Sequence, residues 1–192
     1  MPDIGSRGIN MLKAAMDKFS ELIQAATANV DSGYFDVPVA DYKDSIYRER
    51  VYCYELYHQL RCLWDNFEFR LNGELDKTMA PAFRNGPYPR TKPDLLVHIP
   101  GHHKCNLAVV EIKAAPGRFE KDLEKLTWFC TNFQYSYYRG IFLVFGQIKG
   151  GKEAVREKIR RAVKNGKKGE NLAKVDVLYH CRVKNRAQIV AI

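Results

Sequence analysis

Three charged residues lie at the ends of two neighbouring predicted strands. Their types and spacing would suit them to bind a metal ion and to catalyse a reaction. Asp94 lies at the start of a strand predicted over residues 93–99, and Glu111 and Lys113 lie at the end of a strand predicted over residues 106–113. A short turn-like segment joins the two strands, which predicts an antiparallel hairpin. Since the start of the first strand then lies opposite the end of the second, we expect the three side chains to gather at one end of a sheet.

Two carboxylates and a lysine are costly on an apolar strand unless something compensates their charge. Strict alternation places Glu111 and Lys113 on one face of the second strand with Leu107 and Val109, and Ile112 on the other face. Mg²⁺ would compensate the carboxylates, because it takes oxygen ligands from one or two of them and keeps water molecules. A bound cation activates such a water and stabilises charge on an attacked phosphate. The residue types therefore predict metal-dependent hydrolysis of a phosphodiester bond.

The same residues form a recognisable motif. Pro93-Asp94 followed by Glu111-Ile112-Lys113 resembles the PD-(D/E)xK motif of the restriction-endonuclease-like nuclease superfamily. The order of predicted elements over residues 44–146 is similar as well, and residues 119–126 (FEKDLEKL) resemble the helix that follows the motif in many bacterial members. The resemblance implies an α/β fold with a restriction-endonuclease-like mixed sheet flanked by helices, here with an extra N-terminal helix.

The resemblance also implies roles for the motif residues. Asp94 and Glu111 match the metal ligands of that superfamily, and the backbone carbonyl of Ile112 matches the group that often completes the metal shell. Lys113 matches the catalytic lysine. The implied cofactor is Mg²⁺, with Mn²⁺ as a substitute.

A fourth acidic residue is implied on the helix that precedes the hairpin, and two residues compete for this position. An apolar stripe runs along the helix predicted over residues 44–67, and extending it back by one turn reaches Glu49. The string RERVYCYELYHQL resembles the superfamily's helix best when Glu49 takes the role. Glu55 is the alternative, but it lies about 240° further around the helix, so both residues cannot occupy one position.

Hydrophobic periodicity and turn residues place the remaining elements. Helices are predicted over 9–29, 44–67, 118–131 and 152–164, strands over 93–99, 106–113, 141–145 and 174–182, and a long irregular loop over 73–92. We interpret residues 1–192 as one domain. It comprises an N-terminal helical extension (1–40), the core that carries the motif (44–146) and a basic C-terminal helix and strand (147–192).

The net charge of +9 is concentrated in the C-terminal part of the chain. Residues 1–139 hold 18 basic and 18 acidic residues, whereas residues 140–192 hold 13 basic and 4 acidic residues. Such asymmetry favours a polyanionic partner, with nucleic acid the leading candidate, although a solubilising surface is the alternative. The resemblance to the nuclease superfamily implies DNA rather than RNA as that partner. The candidate phosphate contacts are Lys158, Arg160, Arg161, Lys164, Lys167 and Lys168.

Composition bounds the remaining functional classes. The longest wholly apolar runs are about five residues, far from the roughly 20 that cross a bilayer, and no secretory signal is evident. The five cysteines are widely spread without a CxxC pair, which predicts free thiols rather than disulfides or a zinc cluster. We therefore expect a soluble cytoplasmic protein. A homodimer is compatible with the sequence but is not specified by it. A nuclease-fold module that binds nucleic acid or a protein without cleaving is the alternative function.

Overall fold

Six β-strands form one mixed sheet in a computed structural model that describes residues 6–41, 43–74, 91–101, 105–131, 136–165 and 172–192. The strands are β1 (Arg70–Gly73), β2 (Leu95–His98), β3 (Asn106–Ala114), β4 (Arg139–Phe145), β5 (Val175–His180) and β6 (Gln188–Ile189). They lie side by side in chain order. The central pairs β3–β4 and β4–β5 are parallel, and the outer pairs β1–β2, β2–β3 and β5–β6 are antiparallel.

Five α-helices are described along with a 3₁₀ turn at Leu172–Lys174. They are α1 (Ser6–Ala28), α2 (Ser32–Phe35), α3 (Glu49–Leu63), α4 (Glu120–Thr131) and α5 (Gly151–Asn165). None of the helices in these described ranges is long and apolar enough to cross a membrane. All five cysteines are free thiols, as their spacing predicts.

The sheet separates two apolar layers, because β3 and β4 are apolar on both faces. On one face, Val110 of β3 packs in a cluster that includes Leu56 of α3 and Phe19 of α1. On the other face, Val109 packs in a cluster with Leu123 of α4 and with residues of α5. The described elements therefore form a mixed α/β arrangement with helices on both faces of the sheet, which confirms the predicted fold class at that level.

The helix predicted over residues 44–67 is shorter than the sequence suggests. It begins at Glu49, because Ile46 exchanges two backbone hydrogen bonds of 2.9 Å with Val37 in an isolated β-bridge and cannot be helical. It ends at Leu63, and the indole of Trp64 then donates a hydrogen bond of 3.0 Å to the carbonyl of Phe69. Shortening the helix makes Glu49 its first residue.

One expectation from alternation is wrong. Leu107 packs with Ala108 and Val110 rather than with Val109 on the opposite face. The cause is a register shift, since Val97 pairs with Ala108 whereas the next residue of β2 pairs with Asn106, which leaves Leu107 as an extra residue. Beyond this irregularity the alternation of β3 is regular.

Candidate active site

The candidate site lies where β3 extends beyond β2. The pairing of the two strands ends at Leu95 opposite Val110, while β3 continues to Ala114 beside β4. Side-chain carboxylates replace the missing strand on the open side. Oδ2 of Asp94 accepts a hydrogen bond of 2.7 Å from the backbone N–H of Ile112, and Oε1 of Glu49 accepts one of 3.2 Å from the N–H of Ala114.

Asp94 is held opposite Glu111 by the register of the hairpin. Extending the pair Leu95–Val110 by one residue brings Asp94 beside Glu111, and directly opposed residues of an antiparallel pair share a face. Glu111 itself is only 3% exposed. The structure therefore brings these two acids to one end of the sheet.

Lys113 projects from the same face of β3 and contacts two elements at once. Its Nζ lies 3.2 Å from Oε2 of Glu49 and 3.2 Å from Oδ2 of Asp122 in α4. Lys125, one turn further along α4, lies 2.6 Å from Oε2 of Glu111 and 3.5 Å from Oδ1 of Asp122. We call this set of side chains the edge cluster: Glu49, Asp94, Glu111, Lys113, Asp122 and Lys125.

The structure distinguishes the two candidate acids of α3. Glu49 is the first helical residue, so its side chain sits at the positive end of the helix dipole and reaches the end of β3. Glu55 instead accepts a hydrogen bond of 2.7 Å from the amide of Gln59 on its own helix. Glu49 therefore belongs to the edge cluster and Glu55 does not.

The sequence interpretation missed Asp122 and Lys125. Both lie in the segment 119–126, which resembles the superfamily helix as a whole but does not by itself indicate which residues act. Each directly precedes a fully buried leucine of α4, Leu123 or Leu126, so both flank the apolar stripe that faces the sheet. That position beside the stripe was the available signal.

Burial dominates the electrostatics of the two central acids. It raises the pKa of Glu111, assisted by the negative charge of Asp94 and opposed by Lys125. Burial also raises the pKa of Asp94 to about 6, although the hydrogen bond from Ile112 favours the ionised form. Both carboxylates are thus destabilised as anions where they stand.

The two lysines respond in the opposite way. Burial lowers the pKa of each ammonium, but neighbouring carboxylates outweigh burial and the net pKa is raised. For Lys113 these carboxylates are Asp122 and Glu49, and for Lys125 they are Glu111 and Asp122. With four carboxylates against two ammonium groups, the edge cluster keeps a formal excess of two negative charges.

The donor atoms suit a single hard cation. Within the described ranges, no group of three or more His, Cys, Asp or Glu side chains is arranged as a metal site. Two carboxylates with a carbonyl are nevertheless a set that Mg²⁺ accepts. Oε1 of Glu111 is buried and has no hydrogen-bond partner among the residues that the structure describes. The carbonyl of Ile112 faces the open side with its own N–H, because both groups of a strand residue point towards the same neighbour.

Space for a ligand adjoins the edge cluster. A cavity of about 280 Å³ is bordered by Asp94, Glu74 and the rings of Tyr54 and Tyr57. A larger cavity of about 520 Å³, lined by residues including Phe35 and Arg182, contains no member of the edge cluster. Only the smaller of these two cavities therefore bears on the candidate chemistry.

The predicted phosphate contacts do not all face outwards. Arg160, Arg161 and Lys164 are exposed on α5. Lys158 is not available in the expected way, because its ammonium donates a hydrogen bond of 2.6 Å to the carbonyl of Ala115 and lies 4.2 Å from the ring centre of Phe119. Lys167 and Lys168 lie outside the described residues.

Comparison of the chain with known protein families, with curated proteins and with solved structures finds no match.

Proposed function

We propose that this chain is a metal-dependent nuclease of the restriction-endonuclease-like fold that hydrolyses phosphodiester bonds, with DNA favoured over RNA. The observation that carries the proposal is the convergence of Asp94, Glu111 and Lys113 at the open end of β3. Convergence of buried acids is costly for stability and is typical of functional sites, which supports a functional role.

Mg²⁺, or Mn²⁺ in its place, would be held by Asp94, Glu111 and the carbonyl of Ile112. When bound, the cation would supply an activated water and charge stabilisation at the phosphate. The chain itself excludes solvent from Glu111, whose carboxylate is almost fully buried. It also fixes Asp94 through the hydrogen bond from Ile112, so that the acid is oriented before any ligand arrives.

Lys113 is suited to act on the phosphate. Its side chain is 22% exposed, so the ammonium is close to the surface while Glu49 and Asp122 orient it. The raised pKa keeps this group charged at neutral pH. A fixed positive charge near an attacked phosphate stabilises the charge that develops in the transition state.

The basic surface supports a polyanionic substrate. Lys158 bonds to the carbonyl of Ala115, which directly follows β3, so α5 lies beside the same end of the sheet as the edge cluster. The exposed residues Arg160, Arg161 and Lys164 are on this helix. Exposed cations of this kind attract a phosphate backbone whatever its sequence.

One observation favours the alternative, a module that binds without cleaving. Every ammonium group of the edge cluster is already paired with a carboxylate, and Lys125 contacts Glu111 directly. Such a network holds its charges together without a metal. The module would keep the basic surface and use the edge cluster only to stabilise the fold.

A cleavage assay separates the two functions. Plasmid, linear duplex, single-stranded DNA and RNA are incubated with Mg²⁺, Mn²⁺ or EDTA, using wild type, Lys113→Ala and Glu111→Ala. We expect metal-dependent cleavage by wild type and a loss of at least about 100-fold in both variants, with binding in EDTA retained. Lys113→Ala removes a charge that acts in the transition state, and Glu111→Ala removes a ligand of the proposed cation.

Lys121→Ala is the matched control, because Lys121 is exposed on the same helix as Asp122 and Lys125. It should cleave like wild type. Wild type that binds but cuts no substrate with either metal would establish the module instead. Cleavage that survives both Lys113→Ala and Glu111→Ala would show that the active site lies elsewhere.

A further inference from the structure

Lys125 neutralises Glu111, the carboxylate to which the proposed cation would bind. Its Nζ lies 2.6 Å from Oε2 of Glu111, and the two side chains are 17% and 4% exposed. A carboxylate buried to this degree needs a counter-charge, and in the described structure this ammonium supplies it. The sequence interpretation gave Lys125 no role.

A cation and this ammonium would oppose each other at Glu111. The ammonium contacts Oε2, while Oε1 is buried and has no partner within the described part of the chain. A divalent ion on either oxygen would lie within a carboxylate's width of the lysine charge. Like charges at such a distance in a partly buried site repel strongly.

Lys125 has a second carboxylate within reach. Oδ1 of Asp122, one turn earlier on α4, lies 3.5 Å from the same Nζ. A small rotation of the Lys125 side chain would therefore exchange Glu111 for Asp122 and keep the ammonium paired with a carboxylate. Asp122 also contacts Lys113, so it already serves as a shared acceptor.

We propose that Lys125 is a positioning residue that competes with the divalent cation for Glu111, so that it stabilises the metal-free protein and weakens cation binding. This inference rests on the proposed function, because it presumes a cation at Glu111. It adds that a residue of the site lowers the affinity for the proposed cation. It also adds that cation binding moves the ammonium of Lys125 towards Asp122.

The competition predicts opposite effects in the absence and presence of the cation. Without Mg²⁺, removing Lys125 leaves Glu111 uncompensated and lowers the melting temperature. With Mg²⁺, the cation replaces the missing charge, and it binds more tightly because no ammonium opposes it. A cation that binds only to the folded state raises the free energy of unfolding by an amount that grows with the logarithm of its affinity. The shift that Mg²⁺ produces should therefore be larger in the variant than in wild type.

The test uses Lys125→Met, whose side chain is similar in length and uncharged, and Lys125→Gln, which keeps a hydrogen-bond donor and guards against a folding failure. Melting temperature is measured in EDTA and across a Mg²⁺ titration, and Mn²⁺ affinity is measured by calorimetry, all at pH 8. We expect a lower melting temperature in EDTA and cation affinity at least about tenfold tighter than in wild type. Lys121→Met is the control and should match wild type.

The outcomes are distinct. Equal or weaker cation affinity in both Lys125 variants, with wild type binding normally, would overturn the competition and leave the proposed function standing. Absence of Mg²⁺ and Mn²⁺ binding by wild type and by both variants would overturn the metal-dependent function and the competition with it. Binding that appears only after Lys125 is replaced would support the competition in its strongest form.

Discussion

At the scale of single residues, burial of the edge cluster makes the stability of the protein depend on pH. Asp94 lies in a site where burial raises its pKa to about 6, whereas an aspartate in an unfolded chain titrates near 4. Between these values the folded state holds more protons than the unfolded state. The free energy of unfolding therefore falls as pH rises from about 4 to about 6, and the full penalty remains above that range.

Replacing Asp94 by Asn should remove this penalty. The amide oxygen still accepts the hydrogen bond from Ile112, but no proton is lost as pH rises. We expect Asp94→Asn in EDTA to gain stability relative to wild type between pH 4.5 and 7.5, by up to about 3 kcal/mol. Urea denaturation at several pH values measures the difference. A stability difference that does not change with pH would contradict the assignment.

The sequence predicted part of this cluster for a clear physical reason. Asp94, Glu111 and Lys113 come from one hairpin, so strand alternation and antiparallel register suffice to bring them together. Asp122 and Lys125 arrive through the docking of α4 on the sheet, which no local pattern specifies. Seen along the sequence, they look like surface charges beside an apolar stripe.

At the scale of elements, the start of α3 decides which acid reaches the site. Glu49 contacts both Lys113 and the N–H of Ala114, whereas Glu55 bonds only within its own helix among the described contacts. The helix begins at Glu49 because the bridge between Val37 and Ile46 fixes the preceding backbone. A bridge formed by distant residues is invisible to periodicity, which explains why the predicted helix began too early.

The two glutamates form a matched pair for mutation. Glu49→Gln keeps an acceptor for Ala114 but loses the charge that orients Lys113, so we expect cleavage to slow by about 10- to 100-fold. Glu55→Gln should remain within about twofold of wild type. Because the side chain of Glu49 is 40% exposed, stability should change by less than about 1 kcal/mol. Initial rates and denaturation of both variants check this, and equal rates would remove Glu49 from the site.

Long periodic elements other than α3 were predicted to within three residues at each end, and short elements were missed. The predicted helix over 118–131 and strand over 106–113 differ by at most two residues from α4 and β3. The helix α2 and the strands β1 and β6 have only two to four residues each. Segments this short carry no readable period, and neighbouring strands or packed side chains determine them.

At the scale of the whole molecule, the uneven charge leads to a test of the proposed polyanion-binding surface. The substitutions that test it exclude Lys158, whose ammonium holds Ala115 and lies over Phe119. Reversing the three exposed basic residues of α5 to Glu should weaken nucleic-acid binding about equally for all sequences. It should also reduce the magnitude of the slope of log affinity against log salt concentration by up to about 3. These residues are Arg160, Arg161 and Lys164.

A control with the same change in net charge separates surface from bulk charge. Its substitutions are reversals at Lys13 of α1, at Arg70 of β1 and at Lys43 between α2 and α3, all of which are exposed. Binding isotherms at several salt concentrations compare the two triple variants with wild type. If both triple variants weaken binding equally, the basic residues of α5 contribute only through the net charge of the protein. If neither variant changes binding, these residues serve solubility.

The unequal lengths of β2 and β3 have a further consequence, for association between molecules. An unpaired strand segment offers backbone groups to which a strand of another chain could add, and proteins suppress this with charged or blocking side chains. Asp94 and Glu49 already hold the N–H groups of Ile112 and Ala114 where β3 runs on alone. The acids that shape the proposed site therefore also block this open sheet edge against strand pairing with another molecule.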